Sequence, residues 1–298
     1  MSRTFWSLTG VLVLAATCAV AQNTKATRQN IATLKARAVG GDAKAQDLLG
    51  EDYLYGDGVK QDYTKAAFWF RKAAQQDNAL AQDNLGYCYF SGHGVARNYA
   101  KAFFWYRKAA EQGYAGAQLK LGFLYASGNG VQRDHAQSVS WLRKAAEQGS
   151  AAAQLNLGVD YAHGKGVPRD YARAVYWYRK AANGGIPLAQ LKLGFLYANG
   201  EGVPKDHAQA VHWYRKAAKA GIALAQYYLG LEYYKGDGVP QDYVDAYFWL
   251  DEAAAGKLKA LDEADAKKVR EISASHLTPA ELSAVQARAQ KWFEEHAY

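Results

Sequence analysis

Residues 115–150 read AGAQLKLGFLYASGNGVQRDHAQSVSWLRKAAEQGS, and this stretch decides the fold because the chain repeats its pattern six times. Tryptophan returns every 36 residues, at Trp69, Trp105, Trp141, Trp177, Trp213 and Trp249. The pairs Ala-Gln and Gly-Val recur at the same interval, with no insertion between copies. Self-similarity at this period is typical of solenoid proteins, in which each unit is stable only when it stacks on its neighbours.

Each unit predicts two helices joined by a glycine turn. The first helix has a core stripe at helical spacing, which consists of Gln46, Leu49, Gly50 and Tyr53 in the first unit. A glycine such as Gly56 follows, where a helix end often adopts a left-handed conformation. The second helix begins at an Asp or Asn that suits the N-cap, such as Asp62. Its predicted inward stripe is Ala66, Trp69 and Ala73.

The two ends of the array depart from the pattern, as capping segments do in repeat proteins. Residues 27–39 predict a half-repeat helix that covers the first unit. After the last unit we expect helices at about 260–275 and 279–296, the second opening with the capping box Thr278-Pro279-Ala280-Glu281. The residues expected to close the last open face are Leu282, Val285, Ala289, Trp292 and Phe293.

The pattern AxAQxxLGxxYxxGxGVxxDYxxAxxWYRKAAxxG resembles the Sel1-like repeat, a relative of the tetratricopeptide repeat, across residues 43–256. The resemblance implies an all-α fold, a right-handed α-solenoid of six helix-turn-helix repeats with N- and C-terminal capping helices. Together with the segments on either side, the repeats divide the chain into a predicted signal peptide at 1–21, a linker and capping helix at 22–42, the repeats at 43–256 and capping helices at 257–298. The resemblance also implies an adaptor or scaffold without catalytic residues or cofactors.

The N-terminus predicts export. Residues 6–17 are mostly apolar and uncharged, Arg3 precedes them, and Ala19-Val20-Ala21 supplies the small residues of a cleavage site before Gln22. A retained anchor and a lipoprotein site at Cys18 are the alternatives. The apolar run is shorter than a membrane span, and no other stretch is long and apolar enough for a transmembrane segment. We therefore expect the mature protein to be located in the bacterial periplasm or to be secreted.

The net charge of +8 and the pI near 9.2 suggest an acidic partner. Ten basic residues, however, come from Arg-Lys doublets in five units, beginning with Arg71-Lys72. They lie toward the ends of second helices, where cations complement the helix dipole. The charge therefore predicts a soluble scaffold, and we expect no nucleic-acid partner.

Candidate chemistry is sparse. The Gly-x-Gly turns have neither the preceding strand nor the Lys-Ser/Thr of a phosphate loop. His207 and His212 are five residues apart, so they do not share a helix face as a metal-binding pair would. Cys88 is the single cysteine left after cleavage. The chain therefore differs from the cysteine-rich branch of the Sel1-like family, which is linked to β-lactam binding. The sequence predicts neither catalytic nor metal-binding residues. A hydrolase of β-lactam or cell-wall substrates is therefore the function that the sequence favours least.

The first helices offer a more informative surface. Opposite the core stripe lie positions 44, 47, 48, 51, 54 and 55 of the first unit and their equivalents, which the resemblance places on the concave side. Position 48 gives a polar row: Leu48, Asn84, Lys120, Asn156, Lys192 and Tyr228. Position 51 gives an aromatic row: Glu51, Tyr87, Phe123, Val159, Phe195 and Leu231.

These rows predict a binding groove for a protein or an extended peptide. Amides and ammonium groups would take backbone carbonyls or carboxylates, and the rings would take apolar side chains. Packing between repeats is the other explanation for the aromatics. The predicted contact residues are Asn84, Tyr87, Lys120, Phe123, Asn156, Lys192, Phe195, Tyr227 and Tyr228. The alternative function is a cell-wall-associated module whose aromatics stack on peptidoglycan or another glycan.

Overall fold

The computed structural model describes residues 31–256 and 260–296, so the predicted signal peptide at 1–21 lies outside the described residues. Within these ranges the chain forms fifteen helices and no strand, which confirms the all-α prediction. In chain order they are α1 Ile31–Val39, α2 Ala43–Tyr55, α3 Tyr63–Ala74, α4 Ala79–Ser91, α5 Tyr99–Glu111, α6 Ala115–Ser127, α7 His135–Glu147, α8 Ala151–His163, α9 Tyr171–Asn183, α10 Pro187–Asn199, α11 His207–Lys219, α12 Ala223–Lys235, α13 Tyr243–Ala255, α14 Ala260–Ser275 and α15 Pro279–His296.

The chain divides into two compact units after Ala152. Unit 1 contains α1 to α7, and unit 2 contains nearly all of α8 together with α9 to α15. Within the repeats a helix packs on a neighbour in sequence, for example α2 on α3 and α3 on α4 in unit 1, and at the end of unit 2 both α14 and α15 pack on α13. This succession of neighbour contacts is the packing expected of a solenoid.

Caps recur at the start of every second helix. Asp62 Oδ1 accepts a 3.0 Å hydrogen bond from the backbone N–H of Lys65, which satisfies a donor that the helix itself leaves free. The N-cap side chain of each later repeat makes the same kind of bond: Asn98, Asp134, Asp170, Asp206 and Asp242. At the end of α2, Gly56 takes a left-handed φ of 79°, as predicted.

The two helices of a repeat approach closely because a glycine faces a large side chain. A Cβ added to Gly194 on α10 would lie 2.7 Å from the ring of Tyr214 on α11, which is 1% exposed. Equivalent pairs are Gly50–Phe70, Gly86–Tyr106, Gly122–Leu142, Gly158–Tyr178 and Gly230–Leu250. The residue after the tryptophan is buried as well: Phe70 is fully buried. The tryptophan assigned to the inward stripe is half-buried in unit 1, as at Trp69, and buried in unit 2, where Trp177, Trp213 and Trp249 are 4% to 8% exposed.

Successive repeats are joined by buried amides and by a backbone contact. Gln82 is fully buried and donates from Nε2 to the Ala74 carbonyl at 3.3 Å, which explains why Ala-Gln recurs. Gln112 then donates to Gln82 Oε1 at 2.8 Å. A Cβ added to Gly94, the second glycine of its turn, would overlap the carbonyl of Tyr63 in the preceding repeat.

The terminal helices cap their units as the sequence predicts, with one exception. In unit 2, Val285 is 2% exposed, and the Trp292 ring packs edge-on against Trp249 with centroids 5.7 Å apart. The Thr278 N–H donates to Glu281 Oε2 at 2.8 Å, which confirms the capping box. The prediction for Phe293 is wrong: its side chain follows Trp292 by one residue, points away from the covered face and is 51% exposed.

Candidate functional site

The residues predicted to bind a partner lie on first helices, which are α4 and α6 in unit 1 and α8, α10 and α12 in unit 2. All members of the polar row are half-buried. The aromatic row is half-buried as well, except for Phe195, which is 39% exposed. Both rows therefore reach solvent, and partner binding by these residues stays a prediction.

In unit 1 the polar row is bonded to the preceding repeat. Asn84 Nδ2 donates to Asp47 Oδ1 at 3.0 Å, and Lys120 Nζ donates to Asp83 Oδ2 at 2.6 Å. Both carboxylates occupy position 47 of their repeats. The Lys120 ammonium also lies 5.3 Å from the centroid of the Tyr106 ring. These polar groups therefore join neighbouring repeats, which the sequence pattern did not indicate.

The residues at position 47 of each repeat are buried, so the predicted solvent-facing surface of the first helices is wrong at this position. The sequence placed this position opposite the core stripe, but its residues in the six repeats are only 2% to 8% exposed. They are Asp47, Asp83, Leu119, Leu155, Leu191 and Tyr227. A first helix is covered on two sides, by its own repeat and by side chains of the next one, so a helical wheel with a single buried side assigns too much of it to solvent.

The buried carboxylates of unit 1 form an acidic pair beneath the polar row. Burial raises the pKa of Asp47 from 3.8 to about 7, and the nearby Glu51 carboxylate adds to the effect while the bond from Asn84 opposes it. Asp83 uses Oδ2 for Lys120, and its Oδ1 is buried with no hydrogen-bond partner among the described residues. A buried carboxylate charge at this position costs free energy of folding, and the Lys120 ammonium group offsets that cost.

The aromatic row differs between the units. In unit 1, Tyr87 packs against the buried core and its ring meets His93 edge-on, with centroids 5.5 Å apart. Phe123 is half-buried. In unit 2, Phe195 lies 6.2 Å from Tyr228 of the next repeat, and Tyr228 stacks on the buried Tyr214 at 5.4 Å. Unit 2 thus has the more accessible aromatic pair.

Tyr227, the last of the predicted contact residues, lies under the C-terminal cap of unit 2. It is 8% exposed, and its hydroxyl donates to Asp265 Oδ2 on α14 at 2.5 Å. The neighbouring Tyr228 keeps its half-buried position in the polar row. Two adjacent tyrosines therefore have different surroundings, one beneath the cap and one beside Phe195.

The basic doublets have specific contacts with the scaffold. Arg215 Nη2 donates to the Tyr233 hydroxyl of the next repeat at 2.7 Å, and Arg179 donates to Tyr197 at 2.6 Å. The lysine of each doublet covers an aromatic ring; Lys144 Nζ lies 4.0 Å from the Trp141 centroid. The arginines of the doublets therefore join neighbouring repeats, and the lysines cover aromatic rings.

Exposed aromatics on the second helices were missed by the sequence reasoning. Phe68 and Phe104 in unit 1 and Tyr176 in unit 2 are 46% to 50% exposed, and each packs edge-on against the tryptophan that follows it. The signal was present as a recurring aromatic directly before tryptophan. It was hidden because the tryptophan itself was assigned to the core stripe.

Cys88 lies in the buried core of unit 1. Its side chain is fully buried, and burial raises the pKa of the thiol to about 12. Only a thiolate is an effective nucleophile, so we expect this cysteine to be unreactive in the folded protein. Among the described helices, none has both the length and the apolar character that crossing a bilayer requires.

Known proteins with this architecture are similar in both sequence and structure. A family profile described as Sel1 repeat matches residues 43–78, 79–114, 115–150, 151–186, 187–222 and 223–257. A protective antigen of uropathogenic Escherichia coli with an SLR fold is 39% identical over 82% of this chain, with a TM-score of 0.75. This chain spans 56% of that protein's length.

A second solved structure is a Sel1 repeat protein from Oxalobacter formigenes. It is 38% identical and covers 72% of this chain and 88% of its own, with a TM-score of 0.64. Among curated proteins, none matches this chain significantly.

Proposed function

Since this chain belongs to the Sel1 repeat family, we propose that it is an exported, non-enzymatic scaffold that binds a protein or an extended peptide on its first-helix faces. Sel1 repeat proteins act as protein-interaction scaffolds. The finer parts of the proposal concern the surface, the partner and the address.

The observation that carries the proposal is the surface of unit 2 around Phe195. Lys192 and Phe195 lie three residues apart on α10, so they share one face of that helix. Tyr228, on α12 of the next repeat, lies 6.2 Å from Phe195 between ring centroids. A cation, an accessible ring and a tyrosine thus occur together on two successive repeats.

This combination suits a peptide partner. An exposed phenylalanine gains from being covered by an apolar side chain, and aromatic residues are enriched at protein interfaces. A lysine beside it favours a carboxylate or a backbone carbonyl. At the corresponding position of unit 1, on α6, Phe123 is half-buried, so its ring is less accessible than that of Phe195. Unit 2 is therefore the better place to test the proposal.

A comparison of two alanine variants in unit 2 tests this surface. Phe195→Ala removes a 39% exposed ring from a first helix, and Tyr176→Ala removes a 50% exposed ring from the second helix α9. Capture of the partner from an extract of the producing cells should fall with Phe195→Ala and stay unchanged with Tyr176→Ala. Equal capture by both variants would contradict the proposal, provided that both melt at the wild-type temperature.

The alternative partner, peptidoglycan, predicts a different result. Co-sedimentation with purified sacculi, from which attached proteins have been removed by protease, would favour glycan binding over a protein partner.

The proposed location, periplasmic or secreted, depends on cleavage of the leader. Sequencing the N-terminus of the mature protein should return Gln22 as its first residue, and an N-terminus that retains residues 1–21 would contradict export by this route.

A further inference from the structure

Three metal-ligating side chains meet in unit 2, between the fifth and sixth repeats. His207 is the first residue of α11, Glu232 lies in the last turn of α12, and Asp237 lies in the turn that follows. His207 Nδ1 is 2.9 Å from Glu232 Oε2. One ligand atom from each of the three residues lies within 4.8 Å of the other two. This cluster lies outside the first-helix surface described above.

The backbone holds these groups in place. Gly236 ends α12 with a φ of 76°, and Gly238 follows with a φ of 70°. A Cβ added to Gly238 would overlap the carbonyl group of His207, so the turn presses directly against the start of α11. Asp237 lies between these two glycines. Its position relative to His207 is therefore set by a contact between the backbones of two repeats.

The charges of the cluster suit a divalent cation. Glu232 is 8% exposed and His207 is half-buried, so both groups are largely shielded from solvent. Two carboxylates, those of Glu232 and Asp237, therefore lie beside one imidazole. The third local carboxylate, Asp206, caps α11 by accepting from the Gln209 N–H at 2.9 Å.

The other repeats show that the fold does not need this cluster. The positions of His207, Glu232 and Asp237 are held by Tyr63, Cys88 and His93 between the first two repeats, and by Tyr99, Leu124 and Asn129 at the next junction. Within unit 2 they are Tyr171, Leu196 and Glu201, and the remaining equivalent set is His135, Asp160 and Lys165, in which a lysine replaces the third ligand. Where Tyr63 occupies the first position, its ring stacks on His93 at 4.4 Å. Three ligand-type residues therefore replace a packing contact at one junction.

We propose that His207, Glu232 and Asp237 bind one divalent transition-metal ion of the Zn²⁺ type, which joins the fifth repeat to the sixth. One imidazole nitrogen and two carboxylate oxygens form a donor set that Zn²⁺ accepts. The imidazole disfavours Mg²⁺ and Ca²⁺, which prefer oxygen ligands. Because Zn–N and Zn–O bonds are about 2.0–2.2 Å long, an ion between Nδ1 and Oε2 requires only a small separation of two groups now 2.9 Å apart.

The test uses the untagged full chain, stripped with a chelator and titrated with Zn²⁺ in a calorimeter. The wild type should bind one Zn²⁺ per chain at this site, and Zn²⁺ should raise its melting temperature. Three variants each remove one ligand by introducing the residue of another repeat, so the fold should tolerate them: His207→Tyr, Glu232→Leu and Asp237→Asn. Each should weaken binding by about tenfold or more and reduce the Zn²⁺-dependent rise in melting temperature.

His212→Ala is the matched control, because His212 is an exposed histidine on the same helix, five residues from His207. It should bind Zn²⁺ as the wild type does, and Mg²⁺ at the same concentration should not displace the ion. The absence of stoichiometric Zn²⁺ binding by the wild type would overturn the proposal. So would undiminished affinity in folded His207→Tyr and Asp237→Asn variants.

Discussion

Lys120 Nζ donates a 2.6 Å hydrogen bond to Asp83 Oδ2, a carboxylate of the preceding repeat that is only 3% exposed. The pair belongs to the predicted binding surface, yet it joins two repeats of unit 1. A lysine chosen from the sequence as a partner contact is thus also needed to offset a buried charge. This relationship alters the mutations that are suitable for testing function.

Lys120→Met should destabilise the protein by about 2–3 kcal/mol, because it leaves the Asp83 carboxylate buried without its cation. Urea denaturation followed by circular dichroism measures the loss. Asp83→Leu supplies the control, since leucine occupies this position in Leu119, Leu155 and Leu191. In that background Lys120→Met should cost much less, and an equal cost in both backgrounds would show that the pair is not what stabilises the junction.

Two glycines in equivalent turns should respond differently to alanine. Gly58 and Gly94 have φ values of 67° and 70°, so alanine is strained at both by about 1 kcal/mol. A Cβ on Gly58 meets nothing within 4 Å, whereas one on Gly94 overlaps the Tyr63 carbonyl of the preceding repeat. Gly94→Ala should therefore cost about 1–3 kcal/mol more than Gly58→Ala. Equal unfolding midpoints for the two variants would refute the close contact between repeats.

The buried Asp47 predicts a pH dependence of stability. Its pKa is raised by burial from 3.8 to about 7, so as the pH rises the unfolded chain loses this proton before the folded protein does. The contribution of Asp47 to the free energy of unfolding should therefore fall between about pH 4 and pH 7. Asp47→Asn removes the titration, and its stability relative to the wild type should increase over that interval. A constant difference between the two proteins across the interval would contradict this assignment.

Cys88 provides a reporter of global unfolding. Because the thiol is fully buried and its pKa is raised to about 12, it should not react with a thiol reagent such as dithionitrobenzoate in the native mature protein, which lacks Cys18. Stoichiometric labelling should appear only in denaturant, at the midpoint seen by circular dichroism. Rapid labelling of the folded protein would indicate local opening of α4.

The repeat spacing predicted the helices well because the same local signals recur in each copy. Asp62 and its equivalents fix where second helices begin, and glycines such as Gly56 fix where first helices end. These signals act within a few residues, so they can be interpreted from one sequence. The capping box at Thr278 was predictable for the same reason.

The side-chain environments were harder to predict, because they depend on contacts between repeats. Asp83 and Lys120 are 37 residues apart, and no local pattern joins them. The helical wheel that placed position 47 in the groove assumes that a first helix has one buried side. In the structure, a first helix is buried on two sides. The meeting of His207 with Glu232 and Asp237 also requires the stacking of repeats, since the sequence shows only that His207 and His212 are poorly spaced for a shared metal.

The most direct test of the central claim is photocrosslinking in the cells that produce the protein. A photoreactive residue replaces Asn156 on α8, a half-buried member of the polar row, and a matched one replaces the 50% exposed Tyr176 on α9. Mass spectrometry identifies what each position captures. One protein should be crosslinked from position 156, and this product should be lost when Phe195→Ala is added and should not be obtained from position 176. The same product from both positions, or one that survives Phe195→Ala, would contradict binding on the first-helix face.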